Sequence, residues 1–317
     1  MRRRCPPWPE DRVCSVRVQA VIVTFNRLAM LQRLVPRLRE VAGLERILVV
    51  DNASTDGTGE WLASLDDPLV VHETLATNTG GAGGFHHGLG WAVREGADLV
   101  WLMDDDGLPA PDCLDLLLDR VERDGLEFCG PAVLAEQDPA RLCFPIRLPG
   151  GTRVVHEMAA VEAAAVDGLI DDVVIPFNGV IVTRDLVERI GLPREEFFIW
   201  GDDVEYLWRA QAAGARIATV VDAHFLHPAT DDLGTPMMFG RTTYNHTPSD
   251  LKHYCMARNN TLNLRAYRGW VHVLLFWLKT VWFYLFTRPQ PARIPLSARA
   301  AVAGLRGDFT GHRKYLR

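Results

Sequence analysis

Leu99-Val100-Trp101-Leu102-Met103-Asp104-Asp105-Asp106-Gly107 is the stretch that decides the fold. Leu99 to Met103 is apolar at successive positions, the pattern of a strand buried on both faces of a parallel sheet. The run stops at three adjacent carboxylates and a glycine. In open α/β sheets, ligands bind outside the carboxyl ends of the strands. Three carboxylates placed there repel one another unless something positive joins them. A divalent cation carrying a diphosphate meets that need, because hard cations take oxygen ligands. Asp and Gly also suit a surface turn, so the surrounding sequence has to choose between a turn and a metal site.

Upstream, Val18 to Val23 reads as a first buried strand, followed by the loop Thr24-Phe25-Asn26-Arg27. Leu28 to Val41 has apolar residues at helical spacing, and Pro36 is expected to kink or shorten that helix. Arg46 to Val50 is a second strand, ending in Asp51-Asn52-Ala53-Ser54-Thr55-Asp56-Gly57, again with a carboxylate at a strand's carboxyl end. Thr58 to Leu65 reads as a short helix and Leu69 to Leu75 as a weaker third strand. The order βαβαβ implies a right-handed, doubly wound sheet. Asn78-Thr79-Gly80-Gly81-Ala82-Gly83-Gly84-Phe85 then leads into an amphipathic helix reaching Gly96. Such glycines let backbone approach a ligand, or let a helix start pack tightly on a sheet. The N–H groups of a helix start favour anions. The spacing matches neither the dinucleotide fingerprint nor the P-loop.

Downstream, Pro111 to Asp124 is an expected helix and Glu127 to Leu134 a strand, while Gln137 to Ala165 reads as irregular. Val173 to Thr183 is a strand interrupted at Phe177-Asn178-Gly179, and Arg184 to Ile190 is a short helix stopped by Gly191 and Pro193. The second informative stretch is Glu195-Glu196-Phe197-Phe198-Ile199-Trp200-Gly201-Asp202-Asp203-Val204-Glu205-Tyr206. A helix from Val204 to Ala213 puts Asp202 or Asp203 at its N-cap and Glu205 in its first turn. Capping alone explains one acid, and here three follow an aromatic wall. A carboxylate beside Trp200 and Phe198 is partly desolvated, which raises its proton affinity and suits it to act as a base. Ala218 to Val221 is a further strand, with His224 and His227 beyond it. A histidine there is a candidate ligand in a chain that already offers Asp to a metal. Arg258-Asn259-Asn260 is a compact donor set suited to phosphate or sugar oxygens.

Trp270 to Thr287 is nearly all apolar, contains three tryptophans, and is interrupted by His272 and Lys279. Basic residues surround and follow it, among them Arg268, Arg288, Arg293 and Arg299. Aromatic residues with flanking positive charge fit a segment lying at a membrane surface. A buried core helix, a dimer contact and a true span are the alternatives. The chain has 317 residues, 48% of them hydrophobic and 23% charged, which is ordinary for a globular protein and argues against disorder. A net charge of −6 supplies no basic field for nucleic acid. The six cysteines form no CxxC pair, so neither a zinc site nor a disulfide framework is expected, and a reducing compartment fits. Residues 1–17 read as a loose tail lacking the apolar core of a secretory signal.

Taken in order, Val49-Val50-Asp51-Asn52-Ser54-Asp56-Gly57, the glycine run, Asp104-Asp105-Asp106 and Trp200-Gly201-Asp202-Asp203-Val204-Glu205 resemble the family 2 glycosyltransferases of GT-A fold. Within that family they look most like bacterial galactofuranosyltransferases of the initiating type. The resemblance implies an α/β, Rossmann-like doubly wound mixed sheet over residues 18–235 and a helical C-terminal extension over residues 236–317. It implies an inverting transfer of galactofuranose from UDP-galactofuranose to a glycan or polyprenyl-linked acceptor. A rhamnosyl- or other hexosyltransferase is the alternative within the family, and a nucleotidyltransferase or a non-catalytic sugar-binding protein the alternatives outside it. Thr24, Asp51, Asn78, Gly80, Gly81, Gly83, Asp104 and Asp105 would contact the nucleotide sugar. Asp104, Asp106 and His227 would hold Mg²⁺ or Mn²⁺. Asp203 would be the base, with Asp202 beside it, and Trp200, Asp202 and Glu205 would meet the acceptor. The expected setting is the cytoplasmic face of the plasma membrane, peripherally bound at the inner leaflet, with oligomerisation open and no nucleic-acid partner.

Overall fold

The computed structural model describes residues 16–150, 153–229, 234–240 and 242–316. The expected N-terminal tail lies outside the described residues up to position 15, as do Cys5 and Cys14. The first half runs β1 (Val18–Thr24), α1 (Leu28–Arg39), β2 (Leu44–Asp51), α2 (Thr58–Ala63), β3 (Val70–Thr74), α3 (Gly80–Arg94) and β4 (Leu99–Asp104). The middle holds β5 (Leu108–Pro109), α4 (Cys113–Asp124), β6 (Phe128–Ala135), β7 (Asp138–Arg147), β8 (Val154–Glu157), α5 (Met158–Glu162), β9 (Leu169–Asp171), β10 (Asn178–Thr183) and α6 (Arg184–Ile190). The last part holds α7 (Asp202–Ala212), β11 (Ile217–His227), β12 (Thr235–Met237), β13 (Thr242–Tyr244), α8 (Asp250–Tyr267), α9 (Trp270–Trp282) and α10 (Arg293–Arg306).

The main sheet is ordered β3-β2-β1-β4-β10-β6-β11-β5. β1 is parallel to β2 and β4, β2 to β3, and β6 to β11. β10 is antiparallel to both of its neighbours, so the sheet is mixed. Register does the first work of building a site. Thr24 pairs with Asp51, Val23 with Asp104, and Asp51 with Thr74. Thr24, Asp51 and Asp104, each at the end of an apolar run, therefore share one carboxyl edge. Alternate residues of β1 serve two cores, as the period of a strand requires. Ala20 and Ile22 pack with Leu31, Leu34 and Leu38 of α1, and Val21 and Val23 pack with Phe85 and Leu89 of α3.

Several expectations need correction. Pro36 sits inside α1, which stops at Arg39, short of Val41. The glycine run is not a loop before a helix: α3 begins at Gly80 and contains the rest of it. A side chain on Gly84 would stand 2.3 Å from Val23 Cγ1, and one on Gly88 would stand 2.5 Å from Val21 Cγ1. These glycines bring the helix onto the sheet. Residues 137–165 are not irregular: β7 and β8 form an antiparallel pair, followed by α5. His224 and His227 lie within β11, which is realigned by a register shift between Val220 and His224.

The C-terminal region is helical. α8 packs on α7 and α10, and Met256 shares a small core with Met237, Tyr244, Phe283 and Tyr284. α9 passes into a π-helical turn over Phe283–Thr287. Trp270, Val271, Leu274, Leu275, Leu278, Leu285 and Phe286 are exposed along it. The window Trp270–Thr287 is 18 residues long with a mean hydropathy of 1.3, and 22% of it is buried.

Candidate active site

Asp104, Asp105 and Asp106 leave β4 in three environments. Asp104 is fixed through its backbone N–H, which donates to Phe177 O at 2.9 Å. Burial, with Asp106 and Asp105 alongside, pushes its carboxyl well above the usual range. Asp105 is buried and accepts the Thr24 hydroxyl at 2.7 Å and Arg27 Nη1 at 3.1 Å. Burial still raises its proton affinity. Asp106 is clasped by Arg27, and its Oδ1 lies 3.1 Å from His227 Nε2. Burial opposes the charge on Asp106, but His227 and Arg27 outweigh it and hold the carboxyl below its usual range. Burial likewise opposes a charge on His227. Asp106, Cys143 and the Pro228 carbonyl outweigh that too and push the imidazole up to about 10. Arg27 and His227 thus both face the acids; Arg27 was not foreseen, and its half-exposed side chain leans back over the strand end.

The neighbouring strand ends are equally organised. Asp51 is buried, and it accepts the Ser54 N–H at 2.9 Å and the Thr74 hydroxyl at 3.1 Å. Asn52, also unforeseen, accepts from the Thr79 N–H at 2.8 Å and donates to Gly80 O at 2.8 Å. Asn78 accepts the Gly80 N–H at 2.7 Å. Gly80 has φ +73°, and an added Cβ would lie 1.9 Å from Phe198 O. No such conflict exists at Gly81, which is open, while Gly83 sits tightly against Thr79. The Ala82 N–H donates to Phe198 O at 3.1 Å. One of the free N–H groups of the α3 start is therefore spent on the second informative stretch, and the two halves of the site touch there.

In that stretch the N-cap of α7 is Gly201, at φ +85°, and not Asp202 or Asp203, which are the first two helical residues. Gly is suited to this corner because it enters the left-handed region without strain. Burial raises the proton affinity of both carboxylates. Asp203 beside it raises Asp202 further, while the backbone N–H groups of the helix start oppose the rise at Asp203. Trp200 packs with Met237, Tyr244 and Phe283. Glu205 is buried and accepts from Arg209 and from the Tyr267 hydroxyl, each at 2.7 Å. Arg258 and Asn259 are fully buried and turn onto the backbone of this same stretch. Two of the three donors read from sequence, Arg258 and Asn259, are therefore occupied by protein.

Among the described residues, no cluster of three His, Cys, Asp or Glu side chains is gathered for a metal as the side chains stand. The donors nevertheless fit a hard cation. Asp106 Oδ1 is buried and faces His227 Nε2, itself a ligand type, at 3.1 Å, and Asp104 lies next to Asp105 and Asp106 at the same strand end.

Residues 19–162 match the model named Glycosyl transferase family 2. The chain is 34% identical over 302 residues to the galactofuranosyltransferase GlfT1 of Mycobacterium tuberculosis, spanning 92% of this chain and 96% of that one. The chain belongs to glycosyltransferase family 2. Solved structures place this family 2 transferase in the GT-A fold. A Staphylococcus aureus TarS fragment superposes with a TM-score of 0.56 at 13% identity, covering 94% of this chain and 90% of that one. GalNAc-T7 superposes with a TM-score of 0.58 at 13% identity, covering 92% and 55%.

Proposed function

We propose that this transferase moves galactofuranose from UDP-galactofuranose, with inversion and with a divalent cation, onto a glycan carried at a membrane surface. The observation that carries the sugar is the near full-length similarity to a galactofuranosyltransferase. Mg²⁺ or Mn²⁺ would be held by Asp104, Asp106 and His227, and would stabilise the negative charge of the departing diphosphate. The solved TarS and GalNAc-T7 structures, which carry UDP-GlcNAc and UDP with Mn²⁺ respectively, support that reading. Asp51 is set to meet the nucleoside, as its carboxylate is already locked in place by Ser54 and Thr74. Asp203 takes the proton of the acceptor hydroxyl, whose oxygen attacks the anomeric carbon. A carboxylate whose proton affinity is raised by burial is the stronger base for that task. Asp202, which is buried, stands beside it.

The exposed face of α9 is the surface that would lie on the inner leaflet. It carries apolar residues at helical spacing with Arg265, Arg268 and Arg288 at its ends. Donor choice is tested by UDP or dTDP release from a nucleotide-sugar panel. UDP-galactofuranose should lead, and preference for dTDP-rhamnose would overturn the sugar assignment.

A further inference from the structure

The segment that delivers Asp203 does not lie in a relaxed conformation. Phe198 and Trp200 have φ of +66° and +67°, and Gly201 follows at +85°. Bulky side chains rarely adopt that region, and such conformations persist only where the surroundings over-determine them. The over-determination here comes from one face of α8. Arg258 Nη2 donates to Phe197 O at 2.7 Å. Asn259 Nδ2 faces three carbonyls, those of Trp200 at 2.6 Å, Phe197 at 3.1 Å and Ile199 at 3.2 Å. Asn263, one turn further on, donates to Gly201 O at 2.7 Å. Arg258 Nε donates to Asn259 Oδ1 at 2.8 Å, which fixes the orientation of that amide.

All three side chains are buried. Among the described residues Arg258 has no carboxylate within ion-pair distance. Its other partners are Phe309 O and His312 Nδ1, each at 3.2 Å, Glu196 O at 3.4 Å and Cys255 Sγ at 3.9 Å. Burying a guanidinium among neutral acceptors, with no carboxylate to pair it, is costly and is a poor way to fill a core. The carbonyls it meets belong to the strained segment and to the chain end stacked on it, where Phe309 lies on Phe197 and His312 on Phe198.

We propose that Arg258, Asn259 and Asn263 are positioning residues, holding Asp203 in its working place through the backbone of Phe197–Gly201. The proposal rests on the reading of Asp203 as the base. The opposite side of the segment is anchored separately, by Ala82 N–H on Phe198 O. Loss of the α8 contacts therefore frees the end carrying the acids and leaves the end that touches α3 in place. Turnover should fall while nucleotide binding persists.

The decisive variants are Asn263→Ala and Asn259→Asp in the full chain. Asn263 Oδ1 has no hydrogen-bond partner, so Asn263→Ala removes the Gly201 contact alone. Asn259→Asp keeps an acceptor for Arg258 and turns a carboxylate oxygen towards the three carbonyls. Turnover is read as UDP release from UDP-galactofuranose with a panel of octyl glycosides, and UDP affinity by calorimetry with Mn²⁺. At least a tenfold fall in kcat is expected for Asn263→Ala and a larger one for Asn259→Asp. UDP affinity should stay within twofold and the melting temperature close to that of the parent. A kcat within twofold of the parent would overturn the proposal. So would a loss of kcat matched by equal loss of UDP affinity, or unfolding of Asn263→Ala, because the amides would then hold the fold and not the acids. If Asp203→Asn keeps full turnover while these variants lose it, the base assignment fails and the positioning role stands.

Discussion

Gly84→Ala tests why a transferase helix should begin with four glycines. An added Cβ would lie 2.3 Å from Val23 Cγ1 and 3.2 Å from Val23 Cγ2. Carbon atoms rest at about 3.5–4.0 Å, so α3 must retreat from β1 by about an ångström or Val23 must leave its rotamer. Val23 is buried, with Asp104 as its partner across the β1–β4 pair, so little space exists for either. Overpacking of this kind costs about 1–3 kcal/mol. Alanine returns about 1 kcal/mol through helix propensity. A 2.3 Å approach belongs at the upper end of that cost, so the net expectation is a loss of about 2 kcal/mol, or roughly 3 °C in melting temperature for a chain of this size. UDP affinity should weaken as well, because a retreat of α3 pulls Gly80 from Asn52 and from Phe198. Gly81→Ala is the control, since nothing lies within 4 Å of its added Cβ. It should be neutral or stabilising by about 0.5–1 kcal/mol. Thermal denaturation followed by circular dichroism measures both variants. A Gly84→Ala protein that melts at or above the parent temperature would refute the packing argument.

Asp203→Asn should abolish transfer and leave metal-dependent UDP binding nearly intact; near-normal turnover would remove Asp203 from the role of base. Asp106→Ala deprives Arg27 and His227 of their shared acid and should weaken Mn²⁺-dependent UDP binding at least tenfold by calorimetry, as chelation by EDTA should in the parent. His253 is buried between Ser297 and Tyr284, and burial, with Arg293 and His246 nearby, holds its imidazole down to about 4. Its unfolded value is higher, so stability is lost as pH falls from about 6.5 towards 4, by about 3 kcal/mol in all. Urea titrations across that window should show less pH dependence in His253→Gln. Leu274→Ser combined with Leu278→Ser should abolish flotation with anionic liposomes while leaving turnover on soluble acceptors unchanged; unchanged flotation would remove this face of α9 from the membrane contact.

Much of the sheet was legible because buried parallel strands are written as unbroken apolar runs, and their ends as the first acid. The three-acid stretch, Asp51 and His227 all fall at such ends. Other features depended on partners that no local pattern names. Arg258 and Asn259 looked like ligand donors because a donor's target is not encoded beside it, and here the target is backbone about sixty residues away. Gly201 displaced the two acids from the N-cap because the corner before α7 needs a positive φ, which a preference for acidic caps does not reveal. β7 and β8 were missed because β7 lies largely exposed at its start and its pattern alternates only near its end. The glycine run was ambiguous in principle, since approach to a ligand and approach to a sheet demand the same absent side chain.

Three identical acids in a row are chemically degenerate. A β4 displaced by one position along β1 would still end in carboxylates, and nothing in Asp104-Asp105-Asp106 itself would detect the error. Trp101 does. Its indole N–H donates to Gly179 O at 2.8 Å, and the ring is fully buried on the side of the sheet shared with Met103, Ile181 and Phe225. A displacement by one would turn that ring to the other side, already filled by Phe85, Phe128 and Tyr206. The address of the acids is thus kept by an indole three residues before them, and substitutions at Trp101 endanger the chemistry without touching any group that performs it.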